Sequence, residues 1–220
     1  AVALLLSLVL CLLFGVPYID FLRKKTIGQY ILDVAPEAHA QKAGTPTTGG
    51  VFIVLAIIIS SVVTLLMAEK MDTKALIILI TFFFMALAGF QDDYLKLKGK
   101  ENKGLSPRGK LFRQILIALI PTLYAMQSYG SIVTLGSLSF DIGLLYPLLG
   151  VFIVTGASNA YNLTDGLDGL ATSVGIPAFL ACGIIAFLGG QTVVAIICAS
   201  VIGASLGFLK YNKPKAQVFM

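Results

Sequence analysis

Long apolar stretches alternate with short polar segments along this 220-residue chain. Most of the stretches approach the roughly 17 to 25 residues that an α-helix needs to cross a hydrocarbon core about 30 Å thick. They predict seven membrane-spanning helices, at 1–16, 51–68, 75–90, 111–129, 142–160, 170–188 and 192–209. The pattern therefore predicts an all-α fold, a polytopic transmembrane helical bundle that forms one integral-membrane domain over residues 1–220.

Composition supports a membrane protein, because 57% of the residues are hydrophobic and only 12% are charged, against about 25% charged in soluble domains. The first stretch has no initiator Met and no basic segment before it, and further spans follow, so we interpret it as a span without its beginning rather than a removable signal peptide. The three cysteines lie inside apolar stretches without metal-binding spacing, which is typical of packing residues.

Lysine and arginine are distributed unevenly between the two sides of the predicted bundle. Fourteen of the sixteen lie in 17–50, in 91–113 and after 209, which are loops on one side, whereas Lys70 and Lys74 lie on the other. Because cytoplasmic loops of membrane proteins are enriched in Lys and Arg, this distribution predicts an external amino terminus and assigns the fourteen cations to the cytoplasm. It also removes the need for a nucleic-acid partner to explain the net charge of +5.

Four of the eleven acidic residues form two groups at predicted cytoplasmic helix ends. Asp92 and Asp93 lie in AGFQDDYLK, after the third stretch, and Asp165 and Asp168 lie in SNAYNLTDGLDGL, after the fifth. The loop around 161–169 faces the cytoplasm by this topology, yet it has no Lys or Arg. Two acids in a cytoplasmic loop without cations indicate a role beyond topology.

The Asp92–Asp93 pair is predicted to close the third helix at its C-terminal end, where the helix dipole disfavours an anion by about 0.3 to 1 kcal/mol. The two carboxylates also repel each other, and membrane burial adds up to about 2.5 to 3.5 kcal/mol for each. A divalent cation offsets all three effects, and carboxylate oxygens suit Mg²⁺, which accepts substrate phosphates as further ligands. The simpler interpretation is a pair of solvated acids at the start of a loop.

The second acidic group lies in a segment rich in oxygen-bearing side chains, which are Asn159, Asn162, Thr164, Asp165 and Asp168. Gly166 and Gly169 permit positive φ and close backbone approach. Irregular polar backbone at membrane depth is tolerated only where protein buries it or where it lines a watery cavity. The segment therefore predicts a polar binding site, although Asp168 alone also suits a cap of the sixth helix.

Three weaker candidates lie in the cytoplasmic loops. KAGTPTTGG at 42–50 predicts a turn whose N–H and hydroxyl groups suit a phosphate or a base edge, or else a cap of the second helix. The basic stretch at 95–110 determines topology and also suits anionic head groups or a diphosphate. His39 is the one histidine, and an isolated loop histidine is more typical of solvent than of a site.

Four segments resemble, in order, those of the phospho-N-acetylmuramoyl-pentapeptide transferase family: KAGTPTTGG, GFQDDYLK with KGLSPRGKL, SNAYNLTDGLDGLA, and LGFLKYNKPKAQVFM. This family belongs to the polyprenyl-phosphate N-acetylhexosamine-1-phosphate transferases, ten-helix membrane enzymes that require Mg²⁺. The resemblance implies transfer of the phospho-sugar-peptide of UDP-MurNAc-pentapeptide to undecaprenyl phosphate, which forms lipid I and UMP for peptidoglycan. It also implies a bacterial plasma-membrane enzyme with a cytoplasmic active site, and leaves a monomer and a homodimer both open.

The resemblance also implies roles for individual residues. Asp92 and Asp93 match the family's catalytic acidic pair, and together with Asp165 they are the implied catalytic and metal-binding residues. The implied substrate-binding residues are Lys42, Thr47, Lys96, Lys100, Asn159, Asn162, Gly166 and Asp168.

Two residues depart from the family pattern. Arg108 stands where a lysine is expected, which keeps the charge but changes the donor geometry. Thr48 stands where methionine is usual.

Family members also continue after QVFM with a Gly-Asp segment that binds metal, further helices and a His-rich loop. The expectation is therefore a chain truncated at both ends, whose 220 residues alone are inactive.

Two other functions fit part of the pattern. A sibling transferase that uses UDP-N-acetylglucosamine would share the acidic groups, but NLTDGLDGL and KAGTPTTGG favour the muramoyl-pentapeptide enzyme. A secondary transporter would also carry membrane carboxylates, but such groups usually lie near the bilayer midplane within repeated halves. Here the acids lie at one face, and no internal repeat is evident.

Overall fold

The computed structural model describes residues 1–24, 46–99 and 104–220, with the backbone alone at 97–99. These residues form seven α-helices, a two-stranded hairpin and a 3-10 turn. The helices are α1 (Val2–Lys24), α2 (Gly50–Met67), α3 (Thr73–Gly99), α4 (Pro107–Tyr129), α5 (Tyr146–Thr164), α6 (Leu170–Leu188) and α7 (Thr192–Asn212). The prediction of an all-α bundle is confirmed.

Six of the described helices are long and apolar enough to cross a membrane. Among the described helices, α4 is the one outside this set, because its first half carries Arg108, Lys110 and Arg113 and lowers its mean hydropathy. The seven predicted spans are therefore all helical, and six of them have the composition of a span. These six helices are those of a multi-pass membrane protein.

The best-packed region joins α1, α2 and α7 around aromatic side chains. The ring of Phe52 lies 5.5 Å from that of Phe208 and 6.1 Å from that of Tyr211. The Tyr211 hydroxyl donates to the Leu12 carbonyl at 2.9 Å, which satisfies this buried group. Because lipid tails are as apolar as these side chains, close packing and hydrogen bonds hold such helices together rather than transfer from water.

Small residues allow the backbones of α1 and α7 to approach closely. A Cβ atom at Gly203 would clash with the Leu4 carbonyl and the Ser7 hydroxyl, and one at Gly207 would press against Cys11. Cys11 is fully buried at this contact, in agreement with its predicted packing role. The predicted packing role is wrong for Cys182, since that residue is exposed on α6.

The connection between α4 and α5 is a hairpin that the sequence pattern did not predict. Strand β1 (Ile132–Leu135) pairs antiparallel with β2 (Leu138–Asp141), and a 3-10 turn (Gly143–Leu145) leads into α5. Helix α5 therefore begins at Tyr146, and not at 142 as the apolar stretch predicted.

The connections bring four helix ends to one end of the bundle. Helices α3 and α5 finish there, whereas α4 and α6 begin there, as their contacts described below show. The polypeptide after α7 reaches the same end, where the Phe219 N–H donates to the Pro46 carbonyl and the Gly49 N–H donates to the Phe219 carbonyl, both at 2.8 Å. The hairpin lies at the opposite end of α4 and α5.

Candidate functional site

Asp92 lies at this end of the bundle and is only 8% exposed. Its Oδ1 accepts the Leu105 N–H at 2.8 Å, and its Oδ2 lies 2.8 Å from the Lys96 ammonium. A Cβ atom at position 104 would clash with the Asp92 carboxyl, so Gly104 permits the chain before α4 to pass close to it. Local backbone and a lysine one helical turn away therefore hold the Asp92 carboxylate in a fixed position.

The prediction that the aspartate pair closes the third helix is wrong, because α3 continues to Gly99. The helix dipole acts mainly on the last turn, so it contributes less to the electrostatics of these acids than the lysines do. Lys96 contacts Asp93 Oδ1 at 3.2 Å as well as Asp92. Lys110 of α4 lies 3.9 Å from Asp92 Oδ2. The site thus combines two carboxylates with two ammonium groups.

Lys110 connects the aspartate pair to α5. Its ammonium donates to Asn162 Oδ1 at 3.0 Å while it lies beside Asp92. Lys110 therefore contacts both the first acidic group and the polar segment of α5.

Asn159 is held by a second residue of α4. Its Nδ2 donates to Gln114 Oε1 at 2.9 Å and to the Thr155 carbonyl at 2.9 Å, and Gln114 Nε2 lies 3.3 Å from both Asn159 Oδ1 and Ser158 Oγ. Gln114 is 4% exposed, so this amide pair is sheltered from water. The orientation of Asn159 is consequently set by Gln114.

Asp165 follows α5 and lies near the aspartate pair. More than a third of the residue is exposed, yet the surrounding protein raises the pKa of its carboxyl, and the charges of Asp93 and Asp168 raise that pKa further. Three carboxylates thus repel one another at a site that also holds lysines. The structure brings both predicted acidic groups together.

Asp168 does not cap α6, because Gly169 stands at the N-cap position and no side chain caps that end. The Asp168 Oδ2 instead accepts the Ala216 N–H at 3.3 Å, which links the acidic loop to the segment after α7. Gly169 has a φ of 74°, as its predicted role requires. Gly166 lacks a positive φ and is exposed, and a Cβ atom built there would have no atom of the described residues within 4 Å, so the expected backbone freedom is not used there.

The segment after α7 links the acidic loop to the Thr47 loop. Asn212 is 2% exposed, and its Oδ1 accepts the Gly169 N–H at 3.0 Å while its Nδ2 donates to the Val218 carbonyl at 3.0 Å. Phe219, next along the chain, pairs with Pro46 and Gly49. Thr47 is half-buried within that pairing. Lys42, Lys100 and His39 lie outside the described residues.

Thr48 stands between these contacts with a φ of 71°, a left-handed conformation that is strained for a β-branched residue. It is buried, and its hydroxyl lies 3.4 Å from that of Tyr18. One of the two positions where the sequence departs from the family pattern thus lies in a packed turn.

Sequence reasoning missed Gln114 and Asn212, and it interpreted Lys110 mainly as a topology signal. Gln114 lies four residues after Lys110, so both occupy one face of α4. A glutamine within the predicted fourth span was the available signal. For Asn212, a lone amide at the end of an apolar helix, the partners come from distant segments.

The donor atoms at the site suit a hard cation only in part. Within the described residues, no three or more His, Cys, Asp and Glu side chains are grouped as a metal site. Asp93 and Asp165 are the carboxylates whose mutual repulsion a cation would relieve. One or two carboxylates with substrate phosphates are a typical Mg²⁺ environment, so the residues fit an ion that binds together with substrate.

Comparisons with known proteins agree with the sequence resemblance. The sequence model of the family described as "Glycosyl transferase family 4" matches residues 75–220. The phospho-N-acetylmuramoyl-pentapeptide-transferase of Bacillus licheniformis is 40% identical over 220 residues, which cover 99% of this chain and 68% of that protein. The proteins of the same name from Oceanobacillus iheyensis and Bacillus subtilis are also 40% identical, over 227 and 222 residues, which cover 100% and 99% of this chain and 69% and 68% of those proteins.

Proposed function

This chain belongs to glycosyl transferase family 4, and from that membership we propose that it catalyses the reaction named for its relatives. It transfers phospho-N-acetylmuramoyl-pentapeptide from its UDP carrier to undecaprenyl phosphate and forms lipid I and UMP. The observation that carries this proposal is the cluster of Asp92, Asp93, Lys96 and Asp165 at one end of the bundle, inside the matched region.

Positioning and charge neutralisation supply most of the catalysis in such a phosphoryl transfer. In our proposal a phosphate oxygen of the lipid attacks the phosphorus attached to the sugar, and UMP leaves. Lys96 and Lys110 hold the phosphate groups of the two substrates in place, since both ammonium groups already lie beside the carboxylates of the site. The apolar faces of the helices allow the prenyl chain to approach from the bilayer.

The two members of the aspartate pair have different surroundings, which supports different roles. Asp92 is buried and receives the Leu105 N–H and Lys96, so we assign it the positioning of Lys96 and of the chain before α4. The Asp93 side chain is more exposed than that of Asp92 and lies near Asp165, so we assign it a contact with the reacting phosphates that a bound cation would mediate. Whether Asp93 also removes a proton from the lipid phosphate is tested by the pH dependence of kcat in an Asp93→Asn variant.

We propose that Asp93 and Asp165 would hold Mg²⁺ together with substrate phosphates, while Asp92 positions Lys96 beside them. When bound, this ion would neutralise charge on the diphosphate and stabilise the leaving UMP. Support comes from the repulsion between these carboxylates and from the preference of Mg²⁺ for oxygen ligands. Isothermal titration of the wild-type protein with Mg²⁺, in the presence of UDP-MurNAc-pentapeptide, tests the proposal, and the absence of binding heat would contradict it.

The nucleotide contacts are proposed for the polar residues around this cluster. Asn159, Asn162, Gly166 and Asp168 come from α5 and the acidic loop, and Thr47 comes from the loop that the segment after α7 supports. Lys42 and Lys100 remain predicted substrate contacts. A cytoplasmic location of this site is likewise a proposal, based on the fourteen Lys and Arg residues of the predicted inner loops.

The assay that tests the function compares UMP release from UDP-MurNAc-pentapeptide and from UDP-N-acetylglucosamine, with undecaprenyl phosphate as acceptor. The protein is used as its gene encodes it, because the inactivity of residues 1–220 alone stays a prediction. We expect UMP from the first substrate and none from the second. Release from UDP-N-acetylglucosamine would identify a sibling transferase, and transport into liposomes without UMP release would identify a transporter. Cross-linking in the membrane distinguishes a homodimer from a monomer.

A further inference from the structure

The hairpin between α4 and α5 has one wholly apolar face. Residues paired across antiparallel strands point to the same side, and sides alternate along each strand. The register pairs Leu135 with Leu138. Two residues farther from the turn on each strand, Val133 pairs with Phe140, and the alternation places this pair on the same side. One face of the hairpin therefore consists of these four apolar side chains.

Most of this apolar face is left uncovered by the described residues, and Val133 is its one half-buried side chain. Leu135 and Leu138 are 67% and 60% exposed, and Phe140 is 49% exposed. Large apolar side chains that are exposed together on a short hairpin usually mark an interaction surface.

The opposite face of the hairpin carries Thr134, Ser139 and Asp141, whose polar groups bond within residues 131–143, together with the exposed Ile132. The hydroxyls of Thr134 and Ser139 lie 3.0 Å apart on paired residues. The Asp141 carboxylate accepts the Ser131 hydroxyl and also accepts the Gly143 N–H at 3.0 Å. No Lys or Arg is present from 130 to 141. The hairpin can therefore lie at a membrane–water interface, because its polar groups keep their hydrogen bonds there.

Exposed apolar side chains follow the hairpin directly, in the 3-10 turn and on the membrane-spanning part of α5. Leu144 in the 3-10 turn is 87% exposed, and Leu148 and Phe152 on α5 are 68% and 72% exposed. Helix α5 belongs to the set that can cross a membrane. Because the hairpin directly adjoins a membrane-spanning helix whose exposed apolar side chains meet acyl chains, lipid is the occupant that this placement favours for the hairpin.

We propose that the hairpin is a membrane anchor, lying on the leaflet opposite the acidic site. The side chains of Val133, Leu135, Leu138 and Phe140 insert among the upper acyl chains, and the polar face is directed to the water. Such an amphipathic element lies in the interface and does not span it. This anchor sets the depth of α5 in the bilayer, and the far end of α5 carries Asn159 and Asn162. The inference does not depend on the proposed reaction.

Fluorescence tests this placement, because these 220 residues contain no tryptophan. Leu138→Trp introduces a reporter on the apolar face, and Ser139→Trp is its matched control on the polar face. Any tryptophan outside these residues is replaced by phenylalanine. The variants are reconstituted in nanodiscs of phosphatidylcholine with or without bromine near the top of the acyl chains. We expect blue-shifted emission that bromine quenches for Leu138→Trp, and red-shifted emission that acrylamide quenches for Ser139→Trp.

Two outcomes would overturn the anchor. Blue-shifted emission at position 138 that bromine does not quench would mean that protein covers this face, either a second copy of the chain or another segment. Red-shifted emission that acrylamide quenches would mean that the face lies in water. Circular dichroism confirms that each variant is folded. If Leu138→Trp is not folded, Phe140→Trp, which exchanges one aromatic ring for another on the same face, gives the same measurement.

Discussion

Individual polar residues at the site take their orientation from partners on other helices. Lys110 on α4 bonds to Asn162 on α5 and lies beside Asp92 on α3. Buried or half-buried polar groups are costly unless they are hydrogen-bonded. Each of these side chains therefore affects both the stability of the bundle and the geometry of the site, and substitutions can separate the two effects.

Replacement of Asp165 by asparagine is expected to stabilise the protein in metal-free buffer at neutral pH. Burial and the charges of Asp93 and Asp168 raise the pKa of Asp165, so its ionised form costs stability. This cost is present above the raised pKa and disappears as the pH falls below the ordinary value of 3.8. Thermal unfolding at pH 7.5 should show a higher Tm for Asp165→Asn, and activity should fall on the order of 10²-fold.

Addition of Mg²⁺ with substrate provides the control for this prediction. The Tm of the wild-type protein should rise more than that of Asp165→Asn, because the variant has lost a proposed ligand. An equal rise in both proteins, or a lower Tm of the metal-free variant, would contradict the assigned role.

Replacement of Gln114 by alanine is expected to impair substrate binding. The change leaves the Asn159 side-chain amide without its α4 partner in a sheltered environment, a loss of about 1 to 3 kcal/mol. Steady-state kinetics should show a higher KM for UDP-MurNAc-pentapeptide, with less change in the KM for the lipid. Gln127→Ala, at the exposed end of the same helix, is the matched control and should resemble the wild type. A lower Tm with an unchanged KM would indicate a purely structural Gln114.

Helices differ in how closely they pack, and glycine marks the closest contact. Helices α1 and α7 meet at Gly203 and Gly207, where a side chain would enter the α1 backbone. In contrast, a Cβ atom added at Gly156 on α5 would have no atom of the described protein within 4 Å. Gly203 and Gly207 therefore cannot carry a side chain without a clash, whereas Gly156 can.

The variants Gly203→Ala and Gly156→Ala are expected to change stability in opposite directions. At position 203 the added methyl group clashes with the Leu4 carbonyl and separates α1 from α7, so the Tm should fall. At position 156 the space is open, and alanine in a helix interior is favoured over glycine by about 0.5 to 1 kcal/mol. Thermal unfolding in one detergent compares both variants with the wild type. Equal effects at the two positions would show that α1 and α7 do not meet as closely as these clashes require.

On the scale of the whole molecule, the two ends of the bundle differ in chemistry. One end holds the aspartates, lysines and amides of the site, and the other holds the hairpin with its apolar face. The charge distribution along the sequence predicts that the first end faces the cytoplasm.

Cysteine labelling measures this sidedness directly. In a cysteine-free background, Lys213→Cys at the site end and Ser139→Cys on the polar face of the hairpin are both exposed. In intact cells a membrane-impermeant maleimide should label position 139 and leave position 213 unlabelled until the membrane is opened. The reverse pattern would place the site outside the cell and would exclude the cytoplasmic UDP-sugar as substrate.

The sequence by itself determined the helical class, six stretches with the composition of membrane spans and the residue types of the site, because the free energy of moving a segment into a bilayer depends on its own composition. Tertiary structure alone decided that Lys110 lies beside Asp92, that Gln114 orients Asn159, and that the hairpin has an apolar face. These features depend on contacts between residues that are distant in the chain or paired across strands. Such contacts exist only once helices and strands have packed, so no local pattern encodes them.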